Sequence, residues 1–313
     1  MSAVLSAGLA RSGHAMSRER DLTESERRGV CGTGPAVSFG AMTVHATSLA
    51  WRPEEEPALT ARSVVASTLL GVRPPRLPTR TLVGACALFG IADGTARVAI
   101  SRMVGAGELA ADDGGYRLVG PLLDRSARQD LSAGAVTLPW RTGDAWTMAV
   151  VVGDARRAAE RTALRRAATA ARLAELREGV WLRPANLPPP GHAVDAVLDA
   201  QCRRMTAHPD GDQRALAAGL WDLDGWTGRA RRLLAALART RPDLDGTAEA
   251  LPEAFVLSAA VLRHLQSDPL LPPDLLPDGW PGPALRRAHD DWRTAFDRTW
   301  GAWARRPTTS DMS

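Results

Sequence analysis

Residues 92–120 read ADGTARVAISRMVGAGELAADDGGYRLVG, and this stretch decides how the rest of the chain is parsed. At about 100° per residue, Ala96, Ala99, Ile100, Met103 and Val104 gather on one side of a helix running from about Thr95 to Val104. The opposite side carries Gly94, Thr95, Val98, Ser101, Arg102 and Gly105, with Arg97 at its edge. Asp93 is expected to be the N-cap, because a short side-chain oxygen accepts from the free N–H groups of a first turn. Gly105 and Gly107 stop the helix. Beyond them, ELAAD and YRLVG are short extended pieces around the Gly-rich DDGG, the pattern of a β-hairpin.

Upstream, TRTLVGACALFG (79–90) has the pattern of a helix, joined to the one after it by the tight connection Ile91 to Gly94. VRPPRLP (72–78) is expected to be a loop, since three prolines do not fit inside a helix. LTARSVVASTLLG (59–71) places Val64, Val65, Thr68 and Leu69 at helical spacing and closes on Gly71. Three helices and a hairpin within about sixty residues outline a winged helix-turn-helix. A small polar helix face flanked by two arginines suits a DNA major groove: arginine donates two bonds to guanine or clamps a phosphate, and Thr and Ser bond bases or phosphates. Alone, such a face reads as the solvated side of a structural helix; the turn before it and the hairpin after it tip the reading towards DNA. The candidate contacts are Thr95, Arg97, Ser101 and Arg102. Residues 60–119 hold seven arginines against four acids. Arg73, Arg76 and Arg80 lie where the chain would cross a DNA backbone, and Arg117 lies on the hairpin. Phosphate contacts of this kind give affinity that falls steeply with salt.

The whole chain has 313 residues, of which 45% are hydrophobic and 24% charged, the composition of a globular protein with room for two or three domains. No run approaches the ~18 apolar residues that span a bilayer, so no membrane partner is expected. Cys31, Cys86 and Cys202 are too far apart for a disulfide framework or a zinc site, and a reducing cytoplasm is the natural compartment. The net charge is +4 and the pI about 9.7, yet every basic residue is arginine. That bias reads first as the codon usage of a GC-rich genome; the charge permits an anionic partner without demanding one.

Residues 1–57 show no sustained period and are read as an extension without a fold, either a disordered tail or an over-extended reading frame with Met16 or Met42 as alternative starts. The winged unit takes 58–120, and 121–142 is a linker, helical at LLDRSARQDL. Over 143–209 the pattern is a strand from Trp146 to Val152, a helix from Asp154 to about Ala171, two extended pieces turning at Glu178-Gly179, a helix at AVDAVLDA and a strand at QCRRMTA. That β-α-β-β-α-β order is ferredoxin-like. Residues 210–305 are helical, broken by the proline-rich DPLLPPDLLPDGWPGP, and 306–313 form a tail. Trp292, Phe296, Trp300 and Trp303 make a stripe on the final helix with the spacing of core or of a helix–helix interface. The expected fold is therefore α+β and multidomain: an N-terminal winged helix-turn-helix, a ferredoxin-like middle domain and an all-helical C-terminal domain.

Enzyme signatures are thin. No GxSxG, HExxH, P-loop or Rossmann fingerprint falls at a strand-to-helix position, the six histidines are scattered, and Cys202 reads as a small buried strand residue. No catalytic residue, metal ligand or cofactor is expected. A small-molecule effector is expected between the middle and C-terminal segments, because domain interfaces are favoured ligand sites. Trp181, Arg183, Trp221 and Trp226 are the candidates, arginine for phosphates and tryptophan for ring stacking, against the plainer reading that these tryptophans are core.

Several strings together resemble the phenylacetate-degradation repressor (PaaX) family of bacterial transcription regulators: ARSVVASTLLG, TARVAISRMVGAGEL, where the family has a similar Arg-Ala-Leu-Ser-Arg pattern, WTMAVVV, REGVWLRPANLP, LWDLDGW and FVLSAAVLRHLQSDPLLPPDLLPDGWPG. The likeness runs from about residue 58 to 305, and the GVWLRP and proline-rich strings are its most specific parts. It implies a dimeric repressor that binds double-stranded operator DNA and leaves it when an aryl-CoA thioester binds. Carried over by residue, Thr95, Arg97, Ser101 and Arg102 would contact DNA and Arg117 would touch the backbone from the wing. The short wing DDGGY lacks the family's basic tip, and the N-terminal extension is atypical. The middle segment is also similar in fold to the small subunit of the CRISPR adaptation complex, some of whose members are metal-dependent nucleases using an aspartate after the first strand. Asp154 stands at about that place and would bind magnesium in a dimer, against the simpler role of capping the following helix. A third reading makes the winged unit a scaffold for protein contacts.

Overall fold

The computed structural model describes residues 50–123, 125–126, 134, 136–153 and 156–305. The chain is α+β, built from three groups of elements. The first begins with helix α1 (Ala61–Leu70). Thr60 caps it reciprocally with Ser63: Thr60 Oγ1 accepts from the Ser63 N–H at 3.2 Å, and Ser63 Oγ accepts from the Thr60 N–H at 2.7 Å. Strand β1 (Arg76–Pro78) follows, then helices α2 (Thr79–Ala87) and α3 (Asp93–Gly105), and strands β2 (Leu109–Asp112) and β3 (Gly115–Leu118). Val64, Val65, Leu69, Leu82, Ile100, Met103 and Leu118 form one buried core with them.

Three details differ from expectation. VRPPRLP is not all loop: Arg76–Pro78 pairs antiparallel with β3, so the sheet has three strands in the order β1-β3-β2. Proline is tolerated because β1 is an edge, where a missing N–H breaks no ladder. Gly115 is where β3 meets it: an added Cβ would sit 2.1 Å from the Leu77 carbonyl oxygen. Asp93 is not the N-cap of α3 but its first residue, after an extended Ala92 with no side-chain cap; its carboxylate meets the positive end of the helix dipole. Val104, assigned to the inner face, is 39% exposed; it stands about 80° round the helix from Ala96, at the border of the buried side.

The second group comprises β4 (Trp146–Val151), α4 (Ala158–Ala170), β5 (Ala174–Arg177), β6 (Val180–Pro184), α5 (His192–Gln201) and β7 (Cys202–Ala207). The sheet order is β5-β6-β4-β7 and its recorded pairings are antiparallel. Leu164, Ala167 and Leu198 of the two helices pack with Ala149 and Trp181 on one face. Trp146 and Leu182 meet Trp140, Ala217, Leu271 and Leu275 on the other. At the start of α4 the Glu160 carboxylate accepts from the Arg157 N–H at 2.8 Å. Asp154, the expected cap or metal ligand, lies outside the described residues, as do most of 121–135 and all of 306–313.

The third group is helical: α6 (Gln213–Leu220), α7 (Leu223–Thr240), α8 (Leu251–Gln266) and α9 (Gly282–Ala304). Leu233, Leu237, Leu257, Val261, Leu285 and Trp292 fill the space among α7, α8 and α9. Trp51 belongs to the same cluster at 3% exposure, which corrects the reading of 1–57 as wholly without a fold: residues 50–56 are docked on the bundle. One tryptophan and one carboxylate hold them there, a signal too short to register as a period. The proline-rich stretch after α8 is likewise no loose interruption. Leu271 and Leu275 are buried, and Asp268, 1% exposed, meets Arg286 at 2.8 Å. The stripe on α9 runs out of the bundle core at Trp292 and onto the first group, where the Trp303 ring lies 3.3 Å from a Cβ placed on Gly84. Among the described residues no helix is long and apolar enough to cross a membrane.

Candidate nucleic-acid interface and ligand cleft

Helix α3 is divided sharply by burial. Ala96, Ile100 and Met103 are sealed in the core, while Thr95, Arg97, Val98, Ser101 and Arg102 face outwards. The structure thus presents the four α3 candidates together on exposed surface. Arg97 approaches Asp93 at 3.6 Å, but both side chains are more than half exposed, and such an i,i+4 pair contributes only a few tenths of a kcal/mol. Arg97 is therefore available to a stronger acceptor.

The small sheet adds a feature that the sequence hid. Arg76 of β1 and Arg117 of β3 are direct cross-strand partners, both exposed. Directly opposed like charges destabilise a sheet, and Asp112, 3.7 Å from Arg76, offsets only one of them. Two cations side by side on a solvent face form an anion site. The missing signal was β1 itself, masked by its prolines. Arg80 lies exposed in the first turn of α2. Two other arginines of the same segment serve the fold: Arg62 forks onto the Glu108 carboxylate, and Arg73 donates to the carbonyls of Leu70 and Val72.

The four effector candidates do not converge. Trp181 lies in the core of the second group and Trp226 in that of the third. Trp226 is stacked between His264 and Trp280, both at 4.3 Å, and burial holds the His264 imidazole down to about 4. Trp221 is half-buried against the Trp146 cluster. Arg183 is 5% exposed and donates to the carbonyls of Pro184 (2.9 Å) and Leu270 (3.5 Å) and to Asn186 Oδ1 (2.7 Å). Burial, with Arg172 nearby, pulls its pKa down to about 9. It joins β6 to the proline-rich stretch and has no surface to offer a ligand.

A different cleft of about 810 Å³ opens between the second and third groups. Arg165 and Arg166 of α4, Arg172, and Arg263 of α8 border it, opposite an apolar wall of Leu187, Val194 and the three prolines 188–190. Among the described residues no carboxylate lines it. Arg165 and Arg166 are exposed beside it, whereas Arg172 donates to the Gln266 and Asp268 carbonyls and Arg263 to the Glu56 carboxylate. Two available guanidinium groups with further positive charge behind them, beside an apolar wall, suit an amphiphilic anion. It carries no sequence signal, because Arg165 and Arg166 are exposed like any solvated helix face, and Arg263 reaches the same cleft from a distant helix. Among the described residues no cluster of His, Cys, Asp or Glu is arranged to hold a metal ion.

Two family models match separate segments of the chain. Residues 60–122 match the family described as PaaX-like protein, and 221–304 match the PaaX-like protein C-terminal domain. A solved structure, the uncharacterized protein Rv0674 from Mycobacterium tuberculosis, is 42% identical over 78% of this chain and 99% of its own, with a TM-score of 0.60. No curated protein matches the chain. Because the matched segments hold both the exposed α3 face and the bundle that anchors it, the chain belongs to the PaaX-like family, whose members are generally DNA-binding transcriptional regulators.

Proposed function

We propose that this chain is a repressor of a catabolic operon that binds operator DNA as a homodimer and is released by a small anionic effector. The observation that carries the reading is the exposed face of α3, with Thr95, Arg97, Ser101 and Arg102 turned outwards, in a group that also sets Arg76 against Arg117. In this reading residues 58–120 are a winged helix-turn-helix: α3 enters the major groove and β2–β3 is the wing. Arg97 and Arg102 read base edges, Thr95 and Ser101 bond bases or phosphates, and Arg80, Arg76 and Arg117 neutralise phosphates. Residues 143–209 are a ferredoxin-like domain, supported by the sheet order β5-β6-β4-β7, and 210–305 a helical domain, with 121–142 linking the first two. The effector occupies the arginine-lined cleft, and an aryl-CoA thioester combines the phosphates and the apolar end that its two walls favour.

The test is footprinting on the DNA upstream of the protein's own gene, at several salt concentrations and with added phenylacetyl-CoA or benzoyl-CoA. A two-fold symmetric footprint that weakens steeply with salt and retreats with thioester is expected. A salt-insensitive or absent footprint removes the DNA reading. A footprint indifferent to every thioester removes the effector but leaves the operator. Arg166→Ala should abolish any thermal stabilisation by the thioester without changing the footprint of the free protein.

A further inference from the structure

Residues 50–56 lead directly into the proposed DNA-binding unit, and they are held by a charge arrangement that reaches the cleft. The Glu56 side chain is 4% exposed. Its Oε1 accepts from Trp51 Nε1 at 3.0 Å and from Arg229 Nη2 at 2.6 Å, and its Oε2 accepts from Arg263 Nη2 at 2.7 Å. These bonds hold its carboxyl below the usual range against the opposing effect of burial. Arg263 is one of the four arginines bordering the cleft. Arg263 therefore pairs with a buried carboxylate and also borders the cleft.

Only three residues separate Glu56 from Thr60, the cap of α1, a span of at most about 14 Å when fully extended. Pro57 stiffens the connection, and Leu59 packs on the core of the first group. The short connection ties the start of α1 to the bundle through Glu56 and Trp51, beside the packing of the first group on Phe255, Trp300 and Trp303.

We infer that residues 50–56 are a latch on the DNA-binding unit, closed by Glu56 and opened when an anionic ligand in the cleft draws Arg263 away. A phosphate or pyrophosphate carries more charge and more acceptor oxygens than one carboxylate and outcompetes it for a shared guanidinium. Losing Arg263 leaves Glu56 buried with Arg229 as its remaining cation, and a buried carboxylate short of a partner is strongly unfavourable. The segment then swings out, Trp51 leaves its pocket, and α1 loses that tie and keeps the packing of its group on α8 and α9. A ligand shifts an equilibrium only by binding one state better; here the favoured state is the one in which Glu56 has released Arg263. The inference rests on the proposed use of the cleft and adds the element that would carry its occupancy to α1.

The test is hydrogen exchange of the full-length chain with phenylacetyl-CoA as probe, alongside thermal stabilisation as an independent measure of binding. In the wild type the amides of 51–59 should exchange at least tenfold faster when the probe is bound, with those of 254–261 unchanged. In Glu56→Gln they should exchange fast without the probe and gain nothing further from it. Arg263→Gln should mimic Glu56→Gln and serves as the second variant if the first folds poorly. If the probe stabilises the protein through Arg166 while 51–59 stay protected, the latch is refuted and the cleft stands. If no stabilisation is seen at all, the cleft reading fails and takes the latch with it.

Discussion

Arg97 and Arg183 are the same residue in opposite circumstances. Arg97 stands on α3 with a single weak ion pair and most of its side chain in water. Arg183 is almost entirely buried, and its donors are spent on the protein's own carbonyls and one amide. The chain has no lysine, so every side-chain cation is a guanidinium whatever its task, and composition does not sort them. Burial and bonding do. An arginine whose donors are consumed inside the molecule holds the fold; one with donors to spare on a surface is available to a nucleic acid or a ligand. Arg62 and Arg76 repeat the contrast within the first group, the former forked onto Glu108 and the latter set against Arg117.

The comparison breaks most visibly if the interior arginine proves dispensable. Arg183→Ala should lower the unfolding free energy by about 4 kcal/mol, because it strands buried acceptors on β6 and the proline-rich stretch. Urea denaturation measures this, and the folded fraction should still bind operator with wild-type affinity. A stability within 1 kcal/mol of wild type would show that its bonds are replaceable.

Acidification separates buried bases from buried cations. Burial lowers the His289 imidazole to about 4 from its usual 6.5. The unfolded chain then takes up the proton first, so stability falls as the pH drops from 6.5 towards 4 and levels off below. The slope is on the order of 1 kcal/mol per pH unit, or about 3 kcal/mol over the window. His289→Gln should remove that share of the slope in denaturation curves at pH 7, 6, 5 and 4.5; an unchanged slope would mean that the ring is not neutral in the folded state.

On the surface the expected effects move from stability to binding. Arg97→Ala and Arg102→Ala should each weaken operator binding by about 1–3 kcal/mol while leaving the unfolding midpoint within about 0.5 kcal/mol of wild type. Gel shifts equal to wild type for both would take the base-reading role from α3. The smallest effect is expected on the sheet: Arg117→Ala should reduce the salt slope of operator binding by about 1 and raise stability by a few tenths of a kcal/mol by relieving Arg76. A loss of affinity restricted to certain base sequences would mean that Arg117 reads bases after all.

Much of this was legible in advance wherever a period runs for three turns or a strand alternates. The inward residues of α3, the turn at Glu178-Gly179 and the succession of elements from β4 to β7 follow from local spacing, because one helix face or one strand face must be apolar wherever it is packed. Val104 shows the limit: the period marks a side of the helix, whereas exposure at the border of that side depends on which elements pack there. The four effector candidates lie apart for a related reason. Trp181, Trp221 and Trp226 were chosen by residue type, and a large ring finds its lowest free energy in a core as readily as in a pocket.

What the sequence determined by itself was therefore the set of elements and their buried sides, since hydrophobic periodicity and turn chemistry act over a few residues. Only the tertiary structure decided which charges meet. The pairing of Arg76 with Arg117, the cleft bordered by Arg172 and Arg263, and the hold of Glu56 on Arg229 and Arg263 join positions separated by as many as 207 residues. An ion pair needs two groups within about 4 Å and carries no local pattern that announces its partner, so those sites come into being only when the chain has folded.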